Sequence, residues 1–206
     1  MGTQVVLATR NAHKAQELAR ILSQLNLAIE LLTVDNFPDA PEVEETEDTF
    51  EGNALLKARA LVAHTGLPAI ADDSGLCVDA LAGAPGVLSA RWSGATENVD
   101  QENLELVLRQ LVHAPDEQRG AQFVCAAVLV MPDGSEVVVR GSVAGELLRE
   151  PRGTGGFGYD PIFVPDGFSI TTAEMSAEQK DAISHRGQAL RKLAVEMQDL
   201  FNKHSD

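Results

Sequence analysis

The stretch Leu67-Pro68-Ala69-Ile70-Ala71-Asp72-Asp73-Ser74-Gly75 carries the reading of this chain. An uninterrupted apolar run ends in two adjacent carboxylates, and a Ser-Gly pair follows. Ala69 to Ala71 predicts a brief buried strand, and Leu76 to Leu81 is predicted to continue extended. Upstream, Thr49 is placed to cap a helix whose Leu55, Ala58, Leu61 and Val62 face a core, and Gly66 with Pro68 stops it. A strand (Gln4–Ala8), a helix (Lys14–Leu25) and another strand (Ile29–Val34) precede it. In that helix Leu18, Ile21, Leu22 and Leu25 recur at helical spacing. Between them, Asp35 to Asp48 is acidic and proline-bearing, hence a loop.

Downstream, Asp100 is predicted to cap a helix carrying Leu104, Val107, Leu108, Leu111 and Val112. Gln122–Met131 and Glu136–Val143 form a hairpin over Pro132-Asp133-Gly134, and Gly145–Arg149 adds a strand. Ser176 and Gln179 fit a capping box before a last helix from Ser184 to Phe201. Helices near both ends, a mixed sheet and a strand-rich middle predict one α/β domain spanning 1–206, with two lobes.

Composition removes several classes of function. The formal net charge is −15 over 206 residues. A protein that coats duplexes needs a basic surface to release counterions, so no nucleic-acid partner is expected. The apolar run that includes Cys125 to Met131 is too short to span a bilayer, so no membrane role is expected. The segment Met1-Gly2-Thr3-Gln4-Val5-Val6 shows neither a basic leader nor a myristoylation pattern. The two cysteines, Cys77 and Cys125, read as buried free thiols and suit a reducing cytoplasm.

Several segments carry chemistry. Thr9-Arg10-Asn11-Ala12-His13-Lys14 joins a strand to a helix, where main-chain N–H groups, the helix dipole and Lys14 favour phosphate. The same residues also fit an Asn-containing turn with a solvated lysine. Asn53 and Lys57 are four apart on one helix face, and a solvated face is the alternative. Asp72 and Asp73 repel and lose hydration unless a cation joins them, which suits Mg²⁺. Alternation along a strand sends them to opposite sides. Glu44 or Glu45 of the acidic loop offers a further oxygen ligand. A capped Asp-Ser-Gly turn fits the same residues.

Gly153-Thr154-Gly155-Gly156-Phe157-Gly158 matches a dinucleotide fingerprint literally, but Pro151 precedes it and Tyr159-Asp160-Pro161 follows, so no strand–turn–helix context exists. A loop presenting Phe157 and Tyr159 to a base fits better. Ser184-His185-Arg186, with Lys180 upstream, offers donors to a base or phosphate. Consecutive Ser and His do not form a hydrolytic triad.

Five blocks in order carry a resemblance: Thr9-x-Asn11-x-x-Lys14; Thr49-Phe50-x-x-Asn53-Ala54-x-x-Lys57-Ala58; Ala71-Asp72-Asp73-Ser74-Gly75-Leu76; Gly83-x-Pro85-Gly86-x-x-Ser89-Ala90-Arg91; and Gly155-Gly156-Phe157-Gly158-Tyr159-Asp160-Pro161-x-Phe163 followed by Lys180-x-x-x-Ser184-His185-Arg186. From Val5 to about Leu193 the chain resembles the inosine triphosphate pyrophosphatase, or Ham1-like, family. The resemblance implies an elongated two-lobed mixed-sheet α/β fold with the active site in a central groove. It also implies a cytoplasmic homodimer that uses Mg²⁺ to hydrolyse ITP, dITP and XTP to monophosphate and pyrophosphate. Arg10 and Gly52 depart from the family pattern, and Arg10 is expected to narrow the phosphate end.

The roles implied are these. Thr9, Arg10, Asn11, Lys14, Asn53 and Lys57 bind the substrate, with the two lysines neutralising the triphosphate. Asp73 with Glu45 or Glu44 holds Mg²⁺. Asp73 is also implied as the proton acceptor for water, and a water-orienting role suits a metal-bound carboxylate better. Asp72 is a supporting carboxylate. Phe157 stacks on the purine, with Gly158, Tyr159, Asp160, Lys180, His185 and Arg186 at the base and sugar end and Ser74 nearby. A Maf-type pyrophosphatase matches the blocks poorly. A nucleotide sensor without turnover would have no need of the Asp72–Asp73 pair.

Overall fold

The computed structural model describes residues 3–25 and 29–203. The first two residues, on which the reading of a leader partly rests, lie outside these. Among the described residues, six strands form one sheet in the order β2-β1-β3-β4-β5-β6. They are β1 (Thr3–Leu7), β2 (Ile29–Thr33), β3 (Ala69–Val78), β4 (Gly120–Val130), β5 (Glu136–Leu147) and β6 (Phe163–Pro165). The α-helices are α1 (Ala12–Ser23), α2 (Phe50–Thr65), α3 (Val99–Gln110), α4 (Ala177–Ile183) and α5 (His185–Lys203). β1 runs parallel to β2 and β3, whereas β5 and β6 are antiparallel, so the sheet is mixed.

The chain forms two compact units. The first comprises Met1–Asp73, Cys125–Gly141 and Arg186–Asp206; the second, Ser74–Val124 and Ser142–His185. In the first unit, side-chain alternation divides the sheet into two covered faces. Val5, Leu7, Ile70, Cys125, Ala127 and Leu129 pack with Leu18, Ile21 and Leu22 of α1 and with Leu190, Leu193 and Met197 of α5. On the other face Val6, Ala69, Ala71, Val128 and Val130 pack with Ala54, Ala58 and Leu61 of α2. Burial on both faces is why β1 reads as a continuous apolar run rather than an alternating one. Burying each Leu or Ile here contributes about 1.5–3 kcal/mol.

The second unit has its own core. Leu76 and Val78 meet Leu104, Val107 and Leu111 of α3, with Phe123, Leu147, Tyr159, Ile162 and Phe163. Arg119 is buried there, and its guanidinium donates to the carbonyls of Leu111, Leu147 and Leu148 at 2.7–2.9 Å.

Three local readings change. β3 is one strand running through Asp72-Asp73-Ser74-Gly75, with no turn there. Gly75 permits this, because a Cβ at that position would stand 2.3 Å from the Gly86 carbonyl and 2.4 Å from Ser89 Oγ. Gly145–Leu147 joins the Glu136–Val143 run as a single β5. Asn98, in the left-handed region, is the cap residue of α3, and Asp100 lies inside the first turn. The caps read at Thr49, Gly66 and Ser176–Gln179 are present.

Candidate active site

Alternation along β3 puts Asp72 on the same face as Ile70 and Asp73 on the same face as Ala69 and Ala71. Their partners follow from that. Asp72 Oδ2 lies 3.2 Å from Arg186 Nε of α5, 3.6 Å from Lys14 Nζ of α1 and 3.8 Å from the Cys125 thiol. Arg186, buried at 1% exposure, also donates to Glu17 Oε2 of α1. Asp73 faces α2: Asn53 Nδ2 donates to its Oδ2 at 3.3 Å, and Lys57 Nζ is 3.6 Å from its Oδ1. Lys14, at the start of α1, reaches both carboxylates, standing 4.0 Å from Asp73 Oδ1.

The acidic loop is fastened to the same cluster. Lys57 Nζ donates to Glu45 Oε1 at 2.9 Å and to the main-chain carbonyl of Asp72 at 2.7 Å. Asn53, fully buried, accepts from the Glu47 N–H at 2.9 Å and donates to its carbonyl at 3.1 Å. Its amide is therefore engaged by the loop and by Asp73 together. Glu44 is exposed. Arg10 donates to the Ala40 carbonyl at 2.7 Å, which ties its guanidinium to the acidic loop. Asn11 caps α1, accepting from the Lys14 N–H at 3.0 Å, and Thr9 Oγ accepts from the Asn11 N–H at 3.3 Å.

Electrostatics separates the two neighbouring carboxyls. Burial opposes ionisation of Asp72, but Lys14, Arg186 and Lys57 outweigh it and hold that carboxyl well below the usual range. Burial raises Asp73 instead. Lys57 and Lys14 offset this only in part, and Glu45 and Asp72 add to the rise. Burial pulls Lys57 down, yet Asp73, Asp72 and Glu45 more than compensate, so it stays cationic. Burial and the Asp72 charge push the Cys125 thiol far up, which leaves it protonated and inert. Two carboxyls driven apart in this way suit two different roles.

The donor set can be tested against Mg²⁺. Asp73 and Glu45 present carboxylate oxygens to a single point, now met by Lys57 Nζ. Asp72 Oδ1 is buried with no hydrogen-bond partner among the described residues. Among the described residues, the ion pairs join four carboxylates, Glu17, Glu45, Asp72 and Asp73, to three cations, Lys14, Lys57 and Arg186. No group of three or more His, Cys, Asp or Glu among the described residues forms a cage. Mg²⁺ needs none, since it keeps water and phosphate oxygens beside one or two carboxylates. The residues fit.

The second unit holds a different cluster, on the glycine-rich loop. Asp160 Oδ2 accepts from the Phe157 N–H at 2.8 Å and from Lys180 Nζ at 2.6 Å, while Thr172 Oγ donates to its Oδ1 at 2.8 Å. A Cβ on Gly156 would stand 2.0 Å from Asp160 Oδ2, so the loop's glycine serves close packing on Asp160. Lys180 Nζ lies 5.0 Å from the centre of the Phe157 ring. The Gly158 N–H donates to Asp100 Oδ2 at 2.9 Å. Tyr159 is not presented to solvent: it is buried, and its hydroxyl donates to the Ser89 carbonyl at 2.8 Å. His185 stacks on Phe123 at 4.9 Å. Ser74 is half-buried, next in chain to Asp73.

The structure thus brings Lys14, Asn53, Lys57, Glu45, Asp72 and Asp73 together. It places Arg186 with Asp72 and Glu17, while Phe157, Asp160 and Lys180 form a cluster of their own. Glu17 was not singled out by the sequence, although its i,i+3 spacing from Lys14 inside the apolar stripe of α1 is a readable signal. Thr172 lies in a stretch that carries no motif.

A model of the Ham1 family matches residues 5–196. The dITP/XTP pyrophosphatase of Streptomyces coelicolor is 55% identical to this chain, covering 97% of it and 99% of the relative. That of Mycobacteroides abscessus is 52% identical, covering 97% of each. The solved structure of a HAM1 protein from Coxiella burnetii matches with a TM-score of 0.86 at 41% identity, covering 96% of this chain and 99% of that one. The match in sequence runs nearly end to end and the match in structure is equally complete, and on both grounds the chain belongs to the Ham1 family.

Proposed function

We propose that this chain hydrolyses non-standard purine nucleoside triphosphates, dITP, ITP and XTP, to the monophosphate and pyrophosphate by water attack at the α-phosphorus. One observation carries the reading: Lys14 of α1 and Lys57 of α2 converge on the adjacent Asp72 and Asp73. The names of relatives more than half identical over nearly their whole length support the substrate class.

The chain's own groups divide the work. Lys14 and Lys57 neutralise phosphate oxygens as the substrate arrives. Asp72 stays ionised and fixes Lys14 and Arg186 in place. Asp73 orients the attacking water, the role that suits a carboxylate that also binds metal. Asn53 fixes Asp73 and the acidic loop in one register. Asp73 and Glu45 would hold Mg²⁺, which would supply positive charge against the phosphates and the pyrophosphate leaving group. Phe157 supplies a stacking face for the purine, beside Lys180 and Asp160. Hypoxanthine and xanthine carry an oxygen at C6 where adenine carries an amino group, so a buried donor left facing that amino group rejects ATP.

No helix among the described residues is long and apolar enough to cross a membrane. The family resemblance supports a homodimer working in the cytoplasm, and sedimentation at twice the chain mass checks the assembly. A panel of nucleoside triphosphates, with and without EDTA, tests the function. Pyrophosphate and monophosphate are expected from dITP, ITP and XTP, ATP is spared, and EDTA abolishes turnover. Release of orthophosphate as the primary product, or binding without turnover, overturns the reading.

A further inference from the structure

Asp100 has no part in the chemistry described above, and its place on α3 is not explained by helix capping. Asn98 holds the cap position, and no side-chain cap bond forms there. An acidic residue in a first turn is favoured by the helix dipole, but Glu102 already stands in the same turn. Asp100 does something Glu102 does not: its Oδ2 accepts the Gly158 N–H at 2.9 Å, across 58 residues of sequence.

That bond has a counterpart one residue away, where the Phe157 N–H is accepted by Asp160 Oδ2 at 2.8 Å. Two consecutive main-chain donors are thus held by two carboxylates from separate elements. Gly156 and Gly158 flank Phe157 with φ of +69° and +60°. Such a glycine pair leaves the backbone many alternative conformations. The Gly155 N–H adds a bond to the Ala173 carbonyl at 2.9 Å. The orientation of the Phe157 ring therefore depends on what grips the main chain on each side of its own peptide.

We infer that Asp100 is a positioning residue for nucleobase recognition. It latches the Gly158 N–H to α3 and so holds Phe157 in the orientation that receives a purine. This rests on the proposed function, because it deepens the reading of the base-binding loop. The grip is a charge-assisted hydrogen bond made to main chain, so it acts on any base Phe157 stacks against and not on the phosphate end.

The test uses the full chain and three variants of one position. With Asp100→Ala, KM for dITP rises about tenfold, the size of one charge-assisted hydrogen bond, while kcat moves less than about twofold. Asp100→Asn keeps an acceptor oxygen and restores KM to within about threefold of the wild type, since a neutral acceptor bonds more weakly. Asp100→Glu keeps the charge but displaces the acceptor, and patterns with Ala. Hydrogen exchange on the protein without nucleotide gives a readout apart from activity: the Gly158 amide exchanges faster in Asp100→Ala and is protected in Asp100→Asn. Unchanged KM and unchanged exchange in Asp100→Ala overturn the inference, as does a loss confined to kcat. Should the wild type fail to hydrolyse dITP at all, the functional reading falls, and the exchange data still decide whether Asp100 holds the loop.

Discussion

Asp72 and Asp73 stand on a strand covered by α1 and α5 on one face and by α2 on the other, whereas Phe157 stands on a loop with glycine on both sides. In the first region each side chain is aimed by the element that carries it. Lys14, Glu17, Asn53, Lys57 and Arg186 all project from helices whose apolar residues are already packed. In the second, orientation comes from hydrogen bonds to main chain, supplied by Asp160, Asp100 and the Ala173 carbonyl. A strand flanked by packed helices holds charges that would otherwise repel. A glycine loop allows close approach, at the cost of needing tethers. Substitutions in the first region should therefore change stability or kcat, and those in the second should change KM and base preference.

The largest expected effect falls on Arg186. Removing one partner from a buried ion network leaves the others uncompensated, at about 3–5 kcal/mol. Arg186→Met leaves Asp72 with Lys14 and the more distant Lys57 among the described residues, and removes the guanidinium that faces Glu17. At roughly 2–4 °C per kcal/mol for a chain of this size, Tm should fall by about 10 °C. A fall under about 3 °C by differential scanning calorimetry would show that the cluster is far better hydrated than its burial implies.

Asp73→Asn comes next and separates chemistry from stability inside one region. kcat should drop at least about 100-fold, since the variant loses the group that orients water and binds metal. Stability should behave otherwise. The Asp73 carboxyl is raised in the fold, so it favours the folded state below its unfolded pKa, and that contribution is lost as pH rises through the folded value. At neutral pH its charge is a net burden, and in EDTA the Asn variant should melt at or slightly above the wild type. Asp72 has the opposite sign. Its depressed pKa contributes stability above about pH 4, near the unfolded carboxyl value, and this fades as pH falls further. Melting curves from pH 3 to pH 7 check both. An Asp73→Asn protein that melts far lower than wild type at pH 7 would break the assignment of the two carboxyls to different roles.

Much of the first region was legible in the sequence, because regular elements announce themselves by periodicity. The apolar run into Asp72-Asp73 located the strand, and strand alternation correctly sent the two carboxyls to different faces. The i,i+4 spacing of Asn53 and Lys57 put both on the face that meets Asp73. What stayed hidden was contact over long sequence separation. Arg186 reads beside His185 as a pair of donors, yet the chain assigns the two to different units: Arg186 to Asp72, 114 residues away, and His185 to Phe123. Arg10 reads as part of a phosphate loop, and its bond to Ala40, 30 residues away, could not be read from it. Tyr159 reads as an exposed aromatic because it follows glycines, but the Ser89 carbonyl that buries its hydroxyl lies 70 residues upstream. Local pattern shows which element a side chain rides on; which distant main-chain group it meets is set by packing.

The smallest expected effect, that of Phe157→Ala, sharpens the contrast between the regions. Phe157 is half-buried and touches Lys180 through its ring face, so truncation should leave Tm within a few degrees. Stacking of a base on an aromatic ring is worth about 1–3 kcal/mol, so KM for dITP should rise roughly ten- to a hundredfold while kcat changes little. The Phe157 N–H remains available to Asp160 in the variant, because that bond belongs to the main chain. The loop should therefore keep its shape, and Gly158 exchange should match the wild type, which distinguishes loss of the ring from loss of the tether at Asp100. Steady-state kinetics with dITP and XTP side by side complete the test. A fall in kcat with KM unchanged would place Phe157 with the reacting phosphate instead of the base, and the division between a rigid catalytic region and a tethered recognition loop would fail with it.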